Sequence, residues 1–152
     1  MKEVWLLQLT NFLHSFSGSK THSGYLGGSH KSQIAFFCGM HPDCDEFESE
    51  KALQRAKANV EKHFAVVAVL EEIQKSLYVL ENYIPRYFRD GRKVYDQLMK
   101  DNKKGKKGVN KNLYKPKMPK EVRKTLMQNF TMEIDFYEFC KARLQKQYFA
   151  LL

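Results

Sequence analysis

The chain has 152 residues and a net charge of +9, with 43% hydrophobic and 13% aromatic residues. That is room for about one domain of ordinary size. Eleven Phe and eight Tyr exclude general disorder, which is poor in aromatics, and no apolar run approaches the ~20 residues needed to span a bilayer. Eleven of the 26 basic residues and two of the 17 acidic ones fall between Lys100 and Lys124. That stretch therefore carries +9, and the remainder, with 15 residues of each sign, is neutral. A charge block on a neutral body points to one anion-binding surface rather than diffuse attraction to nucleic acid or membrane. A Lys/Gly run also reads as a solvated loop.

The opening residues Met1 to Leu9 form a short apolar patch, broken by Gln8, Thr10 and Asn11. It lacks a signal-peptide core or cleavage site, so the opening alone implies a cytosolic chain. Residues 17–32 are rich in Ser, Gly and His and read as a linker. His14, His22 and His30 recur every eight residues, but nothing forces them to converge, and no metal site is read from them. Cys38 and Cys44 flank Gly39-Met40-His41-Pro42-Asp43, a segment built for a tight turn. A zinc site would show closer spacing and a second pair; only His41 and Cys140 are left as extra ligands. A small-loop disulfide is the better reading, and it requires an oxidising compartment, against the cytosolic implication of the opening. Cys140 reads as a packed thiol.

An acidic patch, Asp45 to Glu50, suits a helix N-terminus. Ala52, Leu53, Ala56, Val60 and Phe64 then follow helical spacing, giving an amphipathic helix over about 49–63. The Val-rich run 64–70 reads as a buried strand. Glu71-Glu72 open a second helix with Ile73, Leu77, Leu80 and Ile84 as its stripe, limited by Pro85. Helix, strand and helix in succession imply an α/β layer architecture. Arg86 to Gly91 is a basic aromatic turn, and 92–99 a short helix. Pro119 starts a helix over about 120–128. The last helix, about 131–148, carries Ile134, Tyr137, Cys140, Leu144 and Tyr148 on one face, widened by Phe136 and Phe139. Asn129-Phe130-Thr131 is a glycosylation sequon, which agrees with the cysteine reading.

The ordered motifs resemble a known family. Phe36-Phe37-Cys38-Gly39-Met40-His41-Pro42-Asp43-Cys44 is similar to the Cys-Gly-x4-Cys loop of the uronosyl 2-O-sulfotransferases, which act on heparan sulfate and related chains. Ala52 to Val60, Phe64 to Glu72, Leu80-Glu81, Ile84-Pro85-Arg86-Tyr87-Phe88-Arg89 and Phe136-Tyr137-Glu138-Phe139 agree with that family in order. The insect, Pipe-like branch looks closest. The resemblance covers about 34–148, so residues 1–33 stay unassigned and 34–152 reads as the C-terminal portion of a sulfotransferase domain. It implies an α/β, P-loop-like fold, helix-rich with at least one buried strand. It also implies a Golgi-lumenal, membrane-anchored parent glycoprotein that moves sulfate from 3′-phosphoadenylyl sulfate (PAPS) to a uronic acid 2-hydroxyl of a glycosaminoglycan. In that family the loop cysteines are disulfide-linked, which maps onto Cys38 and Cys44. No metal and no nucleic acid are implied, and a homo-oligomer is compatible.

The departures are informative. No phosphosulfate loop precedes Cys38, and the family's catalytic histidine motif matches none of His14, His22 or His30. Sulfuryl transfer needs a base on the acceptor hydroxyl and cations on the leaving phosphate, so no catalytic residue is assigned, and the chain reads as a portion incomplete for catalysis. The family's late cofactor loop maps onto Gly108-Val109-Asn110-Lys111-Asn112, with Tyr95 upstream. There Lys111 would meet the 3′-phosphate as a point charge. The competing reading is a non-catalytic module that holds heparin-like polyanions through Lys100–Lys124. Nucleic-acid binding is disfavoured, because Tyr114 is the only aromatic within the Lys block and single-strand binders interleave stacking rings.

Overall fold

A computed structural model describes residues 32–103 and 119–152. Seven α-helices occur among them: α1 (Gln33–Cys38), α2 (Glu50–His63), α3 (Ile73–Tyr83), α4 (Pro85–Phe88), α5 (Gly91–Lys103), α6 (Lys120–Asn129) and α7 (Thr131–Phe149). Short 3-10 turns lie at Pro42–Asp45 and Leu70–Glu72. The chain divides into two compact units. One takes the described residues of Met1–Lys62 and Met118–Tyr137, the other those of His63–Lys117 and Glu138–Leu152.

The first unit is organised by α2. Its expected stripe of Ala52, Leu53, Ala56 and Val60 is fully buried, together with Leu126, Phe130 and Phe136. Phe37 tilts against Phe136 at 5.1 Å between ring centroids, and Phe47 meets Phe130 edge-on at 5.2 Å. α1 is too short to stand alone, because a helix this size leaves most of its backbone groups unpaired. It is held at both ends. Ser32 Oγ accepts from Ala35 N at 3.1 Å, and the buried Glu133 carboxylate accepts from Ser32 Oγ, Gln33 N and Ile34 N. At the other end Asn59 Nδ2 donates to the carbonyls of Phe37 and Cys38 at 3.0 and 2.9 Å.

The second unit corrects the sequence reading in one respect. Among the described residues there is no strand, and the run 64–70, expected as a buried strand, is a connector as far as Val69, its one buried residue, with Leu70 opening a 3-10 turn. Its backbone pairs with side chains instead of a ladder. Arg143 Nη2 donates to Phe64 O at 2.7 Å, and Gln147 Nε2 to Ala65 O at 2.7 Å. The buried Ser76 hydroxyl accepts from Val69 N and donates to Val69 O, both at 2.9 Å. β-Branched residues favour an extended backbone, but a strand also needs a neighbour, and the described neighbours of this run are helices. The described architecture is therefore helix-rich.

Most other helices begin near the expected residues, but α1 was not expected as a helix, and α5 runs to Lys103, past the expected end at 99. Pro119 precedes α6, and Ile84, with φ −133° and ψ 56°, breaks the chain before Pro85. Pro85 then opens one turn of helix, where a plain turn was expected. In α3 the fully buried residues are Ser76 and Val79; the expected Ile73, Leu77, Leu80 and Ile84 flank them, half-buried. In α7 Phe136, Cys140 and Leu144 are buried as expected. No described helix is long and apolar enough to cross a membrane.

Candidate functional site

The Cys38–Cys44 disulfide forms, with the Cα atoms 5.6 Å apart. Pro42 begins the 3-10 turn that folds the loop back, and the His41 ring nitrogen Nδ1 accepts from Asp43 N at 3.3 Å. Gly39, at φ +99°, supplies the backbone conformation that other residues adopt at a cost. His41 is therefore a loop-capping residue beside a closed disulfide. Among the described residues no three His, Cys, Asp or Glu side chains gather as a metal ligand set. Cys140 is buried and lies outside the disulfide.

Of the residues expected to hold PAPS, Tyr95 lies half-buried on α5. Gly108, Val109, Asn110, Lys111 and Asn112 lie outside the described residues. The basic stretch is visible at its two ends. Lys100 is exposed on α5, and Lys120, Arg123 and Lys124 are exposed on α6. Asn129, the sequon residue, is exposed at the end of α6, while Phe130 after it is buried.

The second unit contains a polar groove that sequence reasoning missed. It has a volume of about 820 Å³ and runs between α3 and α5. α3 contributes Gln74, Tyr78, Glu81 and Asn82; α5 contributes Arg92, Lys93, Asp96, Gln97 and Lys100. Arg89 and Asp90 close one end, with Pro85. The lining residues repeat at helical spacing on both helices, so each turns a polar stripe toward the groove. Neighbouring amphipathic helices normally face each other with apolar stripes. On α3, Gln74, Tyr78, Glu81 and Asn82 stand at i, i+4, i+7 and i+8, a stripe that reads as a solvent face in sequence alone.

The centre of the groove is held firmly. Glu81 accepts from Arg92 N at 2.8 Å and from Arg92 Nε at 2.7 Å. One carboxylate thus pairs with a backbone amide in the first turn of α5 and fixes its arginine. The guanidinium lies over the Tyr78 ring, 4.7 Å from the centroid, a cation–π contact. Tyr78 in turn meets Tyr148 edge-on at 5.4 Å and donates through its hydroxyl to Leu151 O at 3.2 Å. Burial pushes the Glu81 carboxyl up, but the hydrogen bonds and charge of Arg92 outweigh it and leave the group below its ordinary value. Gln74 Nε2 donates to Asp96 Oδ1 at 3.0 Å across the groove.

No protein-family model matches the chain. Curated relatives do. The chain is 47% identical over 125 residues to the uronyl 2-sulfotransferase homolog pip of Drosophila melanogaster, covering 82% of this chain and 24% of the relative. It is 37% identical over 121 residues to human uronyl 2-sulfotransferase, covering 78% of this chain and 29% of that one. Human heparan sulfate 2-O-sulfotransferase 1 is 33% identical over 116 residues, 74% of this chain and 31% of the relative. The chain spans between about a quarter and a third of the length of these relatives. Over most of its length, then, this chain is homologous to the uronyl and heparan sulfate 2-O-sulfotransferases.

Proposed function

We propose that this chain forms the C-terminal portion of a glycosaminoglycan 2-O-sulfotransferase, which transfers sulfate from PAPS to a uronic acid 2-hydroxyl. The homology over four-fifths of the chain carries the reading. The disulfide at Cys38 and Cys44 supports it, because such a bridge persists in an oxidising compartment. The proposal places the parent in the Golgi lumen, membrane-anchored, with a glycan on the exposed Asn129. The fold is P-loop-like, and the run 64–69 becomes a strand where further chain lies beside it.

The chain's own part in the chemistry is cationic. Lys111, with Asn110, Asn112 and backbone groups of Gly108 and Val109, binds the 3′-phosphate side of PAPS, and Tyr95 packs nearby. Charge placed on the leaving nucleotide is worth most where water is excluded. The base on the acceptor hydroxyl and the phosphosulfate loop come from residues that this sequence does not contain.

A chimera tests the reading. The stretch of the Drosophila relative that matches this chain is replaced by the corresponding residues of this chain, and sulfate transfer to desulfated heparan and dermatan chains is measured. The chimera is expected to retain transfer, and Lys111→Ala within it to raise the KM for PAPS about tenfold, equivalent to ~1.4 kcal/mol of lost binding. The 152-residue chain alone is expected to give none. A folded but inactive chimera counts against the proposal. A second reading, a polyanion-binding module without catalysis, is favoured by the exposed Lys100, Lys120, Arg123 and Lys124. It predicts salt-sensitive heparin retention with no PAPS binding even in the chimera.

A further inference from the structure

We propose that the groove between α3 and α5 is a saccharide subsite for a short stretch of a sulfated, uronate-containing chain. The inference rests on the glycosaminoglycan reading above and adds a place for the polymer apart from the nucleotide loop. The groove's volume, about 820 Å³, lies within the ~300–1,000 Å³ usual for small-ligand sites. Its lining, however, is polar on both walls, so it is filled by water or by a ligand rich in hydrogen-bonding groups.

The lining selects among such ligands. Arg89, Lys93 and Lys100 offer cations, and Gln74, Asn82 and Gln97 offer amides. Asp90 and Asp96 are acceptors in the same groove. A sulfated sugar needs all three kinds: cations for sulfate and carboxylate, carboxylates for hydroxyl donors, and amides for either. A nucleic-acid backbone fits poorly, because its phosphates would meet two carboxylates with few donors to satisfy them. The Tyr78 ring is no stacking platform for a base either, since the Arg92 guanidinium covers it. That guanidinium is preorganised by Glu81 and Tyr78, so little side-chain freedom is lost when an anion reaches it. The lining along α5 runs as far as Lys100, which offers a further cation.

The test is a titration of the 152-residue chain with a heparin-derived tetrasaccharide, followed by NMR of the side-chain amides. The expected result is saturable shifts of Gln74, Asn82 and Gln97. The double variant Arg89→Ala/Lys93→Ala should bind about tenfold more weakly, equivalent to ~1.4 kcal/mol, with an unchanged far-UV circular dichroism spectrum. Gln97→Ala, one exposed amide, is the second variant and should weaken binding without loss of helix. Three results would overturn the subsite. In the first, the tetrasaccharide binds but shifts only residues 103–124, and both variants bind like the parent; the glycosaminoglycan reading then stands without the groove. In the second, a short RNA of equal charge shifts the same amides as strongly, which makes the groove a general anion site. In the third, no tetrasaccharide binds, and the chimera assay alone decides the wider reading.

Discussion

Two carboxylates hold helix ends in the first unit. Glu133 is 2% exposed and receives Ser32 Oγ and the amides of Gln33 and Ile34 from about 100 residues away in sequence. Glu48 Oε2 accepts from Thr131 Oγ1 at 2.8 Å and Met132 N at 3.0 Å, at the start of α7. Glu133→Ala would leave the buried Ile34 amide unpaired, at about 1–3 kcal/mol, and free the part-buried Gln33 amide and Ser32 hydroxyl at a smaller cost. A fall of that size in urea-unfolding free energy is expected, with a smaller fall for Glu133→Gln, which keeps one acceptor. At Glu81 the sign is fixed by the lowered carboxyl. A depressed folded value contributes stability above the unfolded value, and that stability is lost as pH falls through the folded one. Stability should therefore decline below the ordinary value of 4.5, and Glu81→Gln should flatten that part of the profile in acid titration of the far-UV signal. Thiol counting checks the cysteines. In denaturant without reductant one thiol, that of Cys140, should alkylate; after reduction, three should. The Cys38–Cys44 pairing was legible because Gly39 and Pro42 force the intervening loop to turn. The role of Glu133 was not, since nothing in the sequence sets it apart from Asp135 and Glu138 in the same helix or points to a partner so far away.

Among the elements, the connector 64–69 shows how a segment can look like a strand and be held by side chains. Arg143 and Gln147 stand one turn apart on α7 and reach Phe64 O and Ala65 O. Ser76 is fully buried and closes on both polar backbone groups of Val69. Ser76→Ala removes the partner of Val69 N, while Val69 O keeps its bond from Glu72 N at 3.0 Å, so a loss of about 1–3 kcal/mol is expected in denaturant unfolding. Arg143→Ala should cost less, because the bonds it makes are only partly buried. If the two variants were equally mild, the connector would not depend on these bonds. The starts of α6 and α3 and the end of α3 were legible from local marks, Pro119, Glu71-Glu72 and Pro85, whereas the short α1 and α4 were not. The connector was not, because β-branching reports the preferred backbone conformation and says nothing of what will satisfy the amides. The α3–α5 groove escaped for a related reason. Its polar stripes are ordinary solvent faces when either helix is read alone, and only their apposition makes a site.

At the scale of the whole molecule, charge and apolar exposure oppose each other. The chain carries +9, yet Phe36, Leu70 and Tyr87 are each more than 70% exposed, and Val94 and Leu98, one turn apart on α5, are about half exposed. Family membership was legible because several motifs fall in one order along the sequence, an observation that needs no structure. What those exposed side chains meet was not legible, because an apolar residue in sequence does not reveal whether its partner lies in the same chain. The balance gives a prediction with a definite sign. Net charge keeps molecules apart at low ionic strength, and the Debye length shrinks from about 30 Å at 0.01 M to about 3 Å at 1 M salt. Burial of exposed apolar surface is not screened, and salts excluded from the surface strengthen it. Self-association of the isolated chain should therefore increase with added salt, the reverse of its retention on heparin, which should decrease. Leu98→Lys adds charge and removes part of the α5 apolar face together, so it should move the onset of association to higher salt. Sedimentation velocity across a salt series measures this directly. A parent chain that stays monomeric to 1 M salt and melts cooperatively would show that the exposed apolar groups do not drive association.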